Sequence, residues 1–260
     1  VSDIHPSAII SDGAVLGQGC KVGPFCVIGP DVVLGANVTI KSHVVIDGDT
    51  QIGEGSTVYA FAVIGEIPQD LKFDGEKTRL RIGKNTRIRE HVTINTGTKG
   101  GGGETRIGDD CLLMAGSHIA HDAQLGNRVI IVNSTAIAGH CIIEDDVIVG
   151  GLCGVHQFVR IGQGAIIGAL SMVTNDVVPY GLVMGPRGEL DGLNIVGLKR
   201  AGVDRADITA LRAALQALKD GEGTFHDRAE RIKAESDSAY VQQMVDFIFG
   251  ESDRGFLTPK

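Results

Sequence analysis

Read in steps of six from Ile10, the chain returns to an aliphatic side chain every time: Leu16, Val22, Ile28, Leu34, Ile40, Ile46, Ile52, Val58 and Ile64. The register resumes at Ile82, Ile88 and Ile94. It runs again from Ile107 through Leu113, Ile119, Leu125, Ile131, Ile137, Ile143, Val149, Val155, Ile161 and Ile167 to Val173. An amphipathic helix would place apolar residues three and four apart, and a half-buried strand would alternate at two. A strict six fits a short strand followed by a corner. The residue after the ladder position is often glycine (Gly17, Gly23, Gly29, Gly35, Gly53, Gly83, Gly108, Gly126, Gly162), as expected where a backbone turns sharply. A chain built this way is a solenoid that buries one aliphatic ladder along its axis.

This repeat resembles that of the hexapeptide-repeat acyltransferases. The resemblance implies a mainly β fold, a left-handed parallel β-helix with three hexads per coil, although the general crossover rule favours the right-handed alternative. Composition agrees with many corners around a thin aliphatic core: 43% of residues are hydrophobic, 4% are aromatic, tryptophan is absent and there are 37 glycines. The net charge is −8 and the basic residues are scattered through the repeats, which argues against a nucleic-acid footprint. The opening Val-Ser-Asp-Ile-His-Pro lacks a basic region followed by an apolar run, and no segment offers eighteen uninterrupted apolar residues. A cytoplasmic protein without a membrane span is the expectation. Cys20, Cys26, Cys111, Cys141 and Cys153 each precede a ladder residue by two, and no pair within an uninterrupted stretch falls in one column. They read as packing thiols in a reducing compartment.

Two gaps interrupt the register, between Ile64 and Ile82 and between Ile94 and Ile107, and insertions into a solenoid become external loops. The expected loops lie near 65–79 and 96–106. The second contains Thr-Gly-Thr-Lys-Gly-Gly-Gly-Gly-Glu-Thr-Arg, which lacks the Gly-Lys-Ser/Thr ending and following helix of a phosphate loop; a flexible flap is expected. The repeat stops near Pro179. Beyond it Ile208, Leu211, Leu215 and Leu218 recur at helical spacing, and Phe225, Ile232, Met244, Val245 and Ile248 suggest two further amphipathic helices. The expected domains are a β-helix over 1–186 and a C-terminal α-helical domain over 187–260.

Against this background, three histidines stand out. His121 follows Ile119 by two, His140 follows Ile137 by three and His156 follows Val155 by one, so all occupy corners of successive coils. They should converge within about two residues of one column, with coils about 4.8 Å apart. His118 lies beside the same place, whereas His43 and His91 read as surface decoration. Two chemistries use such a group. Three neutral imidazoles can bind zinc with an open water position, as in a carbonic anhydrase; or one imidazole is a general base oriented by a carboxylate. Asp122, next to His121, favours the second, and the spacing His118-x-x-His121 departs from the His-x-x-x-x-His usual among carbonic anhydrases of this scaffold.

The strings Ile64–Phe73 (IGEIPQDLKF), HIAHDAQLGNR, AGHCIIEDD, GGLCGVHQF and NIVGLKRAG, in this order and followed by helices, are similar to the UDP-N-acetylglucosamine acyltransferase family over essentially the whole chain. The resemblance implies transfer of a (R)-3-hydroxyacyl group from acyl carrier protein to the 3-hydroxyl of UDP-N-acetylglucosamine, the first step of lipid A synthesis; the His121-Asp122 pair and the absence of the carbonic anhydrase spacing add the expectation of catalysis without metal, and no cofactor is expected. The resemblance assigns the base to His121, its orientation to Asp122 and an oxyanion-binding N–H to Gly139. Asp70, Lys72, His118, His140, His156, Gln157, Asn194 and Arg200 would contact substrate, and Ala169 would help set the depth of an acyl-chain groove. It further implies a homotrimer with sites between subunits. A basic patch of Lys199, Arg200, Arg205 and Arg212 would receive the acidic carrier protein. The sequence departs from the family at Asn95-Thr96, where His-Arg is commonest, and at Val196, where a glutamate is frequent. A noncatalytic hexapeptide trimer and a zinc enzyme stand as alternatives.

Overall fold

The computed structural model describes residues 2–259. The chain winds as a left-handed parallel β-helix of triangular section, its three faces being sheets of 11, 9 and 8 strands. The first face begins at Asp3–Ile4, the second at Ile9–Ile10 and the third at Val15–Leu16, and most strands are only two residues long. Asp3 pairs with Lys21 and Ile4 with Val22, so one coil is eighteen residues and the ladder stacks on itself. In each pair the second residue points inward: Ile28, Ile46, Ile64, Ile94, Ile119 and Ile137 are all fully buried. Full burial of each such side chain contributes about 1.5–3 kcal/mol, which is the force that holds the register.

The glycines after the ladder residues have a different cause from the one expected. None of the nine adopts a positive φ; the left-handed residue comes two places later, as at Asn37, Asn85 and Asp110. A Cβ on Gly53 would lie 2.5 Å from the Gly83 carbonyl carbon, and one on Gly108 would lie 2.4 Å from the Gly126 oxygen. Glycine is needed there because consecutive coils touch backbone to backbone. The cysteines also join coils: each Sγ donates to a carbonyl of the next coil, Cys26 to Lys41 at 2.7 Å and Cys141 to His156 at 3.1 Å. All five are free and buried, and burial pushes the Cys111 thiol up to about 11 and the Cys141 thiol up to about 12, so these two carry no reactive thiolate.

Both register gaps are external loops, after Val63–Glu66 and after Thr93–Asn95, and the strands on either side rejoin in register, Arg79 opposite Glu104. The parallel coils end in a hairpin, Gly181–Met184 against Glu189–Leu193, that extends the first face antiparallel. Residue 186 lies in its turn, so the sheet continues to Leu193 before the helices begin. Four helices follow among the described residues: α1 (Ile195–Arg200), α2 (Arg205–Asp220), α3 (Phe225–Glu235) and α4 (Ala239–Phe249). The last three pack on one another through Leu211, Leu218, Ala229, Met244 and Val245. The segment after α4 returns to the last coil, where Asp176 bridges to Phe256.

Candidate active site

One edge of the prism, the corner between the second and third faces, carries the histidines. Its successive coils read Ala120-His121-Asp122-Ala123, Ala138-Gly139-His140-Cys141 and His156-Gln157-Phe158-Val159. The three imidazoles are therefore on one edge but at three different corner positions. Directly above one another stand His121, Gly139 and Gln157, and beside them Asp122, His140 and Phe158. The last three hold φ of 60°, 62° and 64°. That left-handed conformation costs roughly 1–2 kcal/mol per non-glycine residue; it recurs at corners throughout the solenoid, as at Phe61 and Ser134, and here it carries Asp122 and His140.

The result is a compact group. His121 Nδ1 lies 2.8 Å from Asp122 Oδ2, with both residues buried, and His140 Nδ1 is 3.7 Å from the same oxygen. A carboxylate accepts only, so His121 carries its proton on Nδ1 and leaves Nε2 as a free lone pair. The His140 ring stands edge-on to His121 at 5.0 Å and lies flat on Phe158 at 4.5 Å. Gly139 is where the His121 ring passes: a Cβ would come within 2.6 Å of Cε1 and 2.8 Å of Nε2. The buried Gly139 N–H finds no acceptor among the described residues, so an acceptor at this corner must come from outside them.

Burial lowers the His140 pKa below the ordinary imidazole value, despite the nearby Asp122 carboxylate. His118, whose Nδ1 is 2.7 Å from Thr93 Oγ1, is lowered by burial as well. Both rings are neutral at pH 7 and act through hydrogen bonds. A cleft of about 810 Å³ opens on this edge, lined by Asp70, Lys72 and Phe73 of the first loop, Thr98 and Lys99 of the second, and His140 and Phe158. That is the volume of a site for a drug-sized molecule.

The remaining expected residues are placed as follows. His156 and Gln157 are exposed at the same edge, and both are met by Arg254: its guanidinium reaches His156 Nδ1 at 2.6 Å and the Gln157 carbonyl at 3.0 Å. Nothing local in the sequence marks Arg254, because it arrives from the end of the chain. Asn194 and Arg200 are not on this edge. Asn194 caps α1, accepting from the Gly197 N–H, and its Nδ2 donates to Gly164 on the corner between the third and first faces. Arg200 ends α1, exposed like Lys199, Arg205 and Arg212. Ala169 is exposed on the third edge, next to Leu170, which like Leu152 one coil earlier is 64% exposed.

The second loop reaches into the site. Thr98 is buried and holds both oxygens of Asp122, its N–H donating to Oδ1 at 2.8 Å and its hydroxyl to Oδ2 at 2.6 Å. His121, Asp122 and His140 also present donor atoms within 4.8 Å of one another, as a divalent ion would require. The carboxylate is already engaged by Thr98 and His121, and His156 is not part of the group. This geometry favours orientation of an imidazole over the three-histidine zinc site weighed from the sequence.

Comparison with known proteins bears on the same residues. The family model for domain 2 of UDP-N-acetylglucosamine O-acyltransferase matches residues 176–257, and that for the bacterial transferase hexapeptide matches 13–48, 31–66 and 104–139. The acyl-[acyl-carrier-protein]–UDP-N-acetylglucosamine O-acyltransferase of Paracoccus denitrificans is 63% identical over 202 residues, covering 78% of this chain and 77% of its own. The enzyme of that name from Agrobacterium fabrum is 46% identical over 98% of this chain and 95% of its own. LpxA from Acinetobacter baumannii superposes with a TM-score of 0.95 at 38% identity, covering 98% of this chain and 99% of that one.

Proposed function

The chain belongs to the UDP-N-acetylglucosamine O-acyltransferase family, and on that premise we propose that the His121–Asp122 pair drives acyl transfer at the cleft beside it. The protein is an acyl-[acyl-carrier-protein]–UDP-N-acetylglucosamine O-acyltransferase, the enzyme of the first step of lipid A synthesis. The observation that carries the mechanistic reading is the buried imidazole whose Nδ1 is held by a carboxylate and whose Nε2 is free.

A sugar hydroxyl is far too weakly acidic to ionise at neutral pH, so its proton must leave as the new C–O bond forms. In the proposed mechanism Nε2 of His121 takes that proton while the 3-hydroxyl oxygen attacks the thioester carbonyl. Asp122 stabilises the resulting imidazolium. The carbonyl oxygen becomes an oxyanion and is met by the unpaired Gly139 N–H. Collapse breaks the C–S bond, and the imidazolium returns its proton to the departing thiolate of the carrier. His118, His140, His156, Gln157, Asp70 and Lys72 hold the sugar nucleotide. The acyl donor is a (R)-3-hydroxyacyl chain, whose length Ala169 and its exposed leucine neighbours help to set. The basic residues at α1 and α2 receive the acidic carrier, and the setting is cytoplasmic. No helix among the described residues is long and apolar enough to cross a membrane.

Incubation of the purified protein with 3-hydroxyacyl carrier protein and UDP-N-acetylglucosamine tests the reading directly. Appearance of the 3-O-acyl product supports it, and absence of product across donors of all lengths overturns it. Gly139→Ala tests the corner: the added methyl would push the His121 ring aside, and displacement of about 1 Å costs on the order of 100-fold in turnover. A variant with wild-type kcat would show that the ring does not work from this position.

The same reading extends to the assembly. Asn194 and Arg200 start from one edge of the prism, His121 stands on another and Ala169 on the third, so a single copy cannot gather them. A homotrimer places the edges of neighbouring copies against one another and closes the cleft from water. Light scattering of an active preparation should give three times the 27.3 kDa chain mass; an active monomer would remove the argument.

A further inference from the structure

At the histidine edge, the glycine-rich second loop has no role in the transfer steps described above. Its backbone is shaped around one carboxylate. The short 3-10 turn Lys99–Gly101 is closed by N–H groups of Gly101 and Gly103, both donating to the Thr98 carbonyl, at 3.1 and 2.8 Å. Within that turn Gly101 faces Asp122 so closely that a Cβ would lie 2.1–2.4 Å from the carboxylate atoms, and one on Gly97 would lie 2.8 Å from Oδ1. Gly101 therefore makes room for Asp122, Gly97 chiefly for the loop's own backbone at Gly103 and Glu104, and Thr98 grips the carboxylate. Lys99 N–H, the next group along, donates to Glu76 Oε1 at 3.1 Å, which ties the turn to the first loop.

We propose that Thr98 is a positioning residue of the transfer reaction, acting through Asp122 to decide which imidazole the carboxylate serves. Asp122 Oδ2 lies between two candidates, His121 Nδ1 at 2.8 Å and His140 Nδ1 at 3.7 Å. The Asp122 backbone is held by its own N–H to Thr105 Oγ1 at 2.8 Å, so the freedom left to the carboxylate is rotation about its two side-chain bonds. Thr98 removes that freedom by meeting both oxygens at once, a two-point grip of charge-assisted hydrogen bonds. Without the hydroxyl, Oδ2 turns toward His140, and His121 loses the partner that keeps its proton on Nδ1. The base then spends part of its time in the tautomer whose Nε2 already carries a proton. This inference rests on His121 being the base.

The test compares Thr98→Val, Thr98→Ser, Gly101→Ala, His121→Ala and the double variant Thr98→Val/His121→Ala. Thr98→Val keeps shape and loses only the hydroxyl; its kcat should fall about 10- to 100-fold, with KM for UDP-N-acetylglucosamine and thermal midpoint little changed. Serine, which restores the hydroxyl, should recover most of the rate. Gly101→Ala, which displaces the carboxylate from the other side, should reproduce the kcat defect should the valine variant fold poorly. Adding Thr98→Val to His121→Ala should cost nothing more, because Thr98 acts only through the dyad. A valine variant with wild-type kcat, a defect confined to KM, or a loss that serine does not repair overturns the proposal while leaving the transfer reaction intact. A His121→Ala enzyme of normal activity would instead overturn the reading on which it rests.

Discussion

Replacing His121 by alanine should lower kcat about 10²- to 10⁴-fold, the range a positioned general base contributes, while UDP-N-acetylglucosamine still binds. The size follows from the absence of a substitute. His140 is the nearest imidazole, but its ring is stacked on Phe158 with an interplanar angle of 2° and stands 84° to the plane of His121, so its nitrogens point elsewhere. Its lone contact with the orienting carboxylate is 3.7 Å long, too long for a hydrogen bond. His156 is engaged by Arg254. Acceptor binding should survive because Asp70, Lys72 and His140 line the cleft independently of His121. Calorimetry for binding and a product assay for kcat separate the two. Turnover above a tenth of wild type would mean that another group takes the proton, and loss of binding alone would make His121 a contact residue.

How much of this site the sequence revealed depends on the range of the interactions. The aliphatic period displays coil and corner at once, because each hexad repeats one local solution, and Ile119, Ile137 and Val155 stack as spacing implied. The same arithmetic places His121, His140 and His156 on one edge. The eighteen-residue step also puts Gly139 directly over His121, but it does not tell that the His121 ring leans across that glycine, since this depends on which corner residue takes the left-handed turn. Asp122 and His140 have equivalent places, eighteen residues apart, and share that conformation. Thr98 was hidden because an insertion has no register to count from. Arg254 was hidden because its partner is His156, on the opposite side of the helical bundle in sequence. The glycines show the converse: their positions were plain, but their reason, contact between coils, exists only once coils are stacked.

The tail that delivers Arg254 docks on a buried ion pair of the last coil, bonding to Asp176 through the backbone of Gly255 and Leu257 and through Ser252, and cutting that pair should cause a large loss of stability. Arg160 is 8% exposed and Asp176 fully buried; Nε of the arginine meets Oδ2 at 2.7 Å, and its backbone N–H meets Oδ1 at 2.8 Å. Ser252 Oγ donates to the same carboxylate at 2.6 Å, while the guanidinium lies over the Phe247 ring of α4 at 4.4 Å. One arginine nitrogen, Nη2, is already buried without a partner among the described residues, so the cation depends on Asp176 for its compensation. In Asp176→Ala that cation stays among aromatic rings with no counter-charge, a defect that costs about 3–5 kcal/mol. The pair itself is a different quantity: replacing both residues, as in Arg160→Met/Asp176→Leu, removes the stranded charge and should restore much of the loss. Denaturant unfolding of the two variants beside wild type distinguishes a stranded charge from lost packing. The single variant should be far weaker than the double. Equal losses would mean that the docking of the tail rests on shape, and that Asp176 serves Arg160 only incidentally. Because the tail carries Arg254 to His156, the single variant should also raise KM for UDP-N-acetylglucosamine, whereas kcat, set at His121 two coils away, should change less.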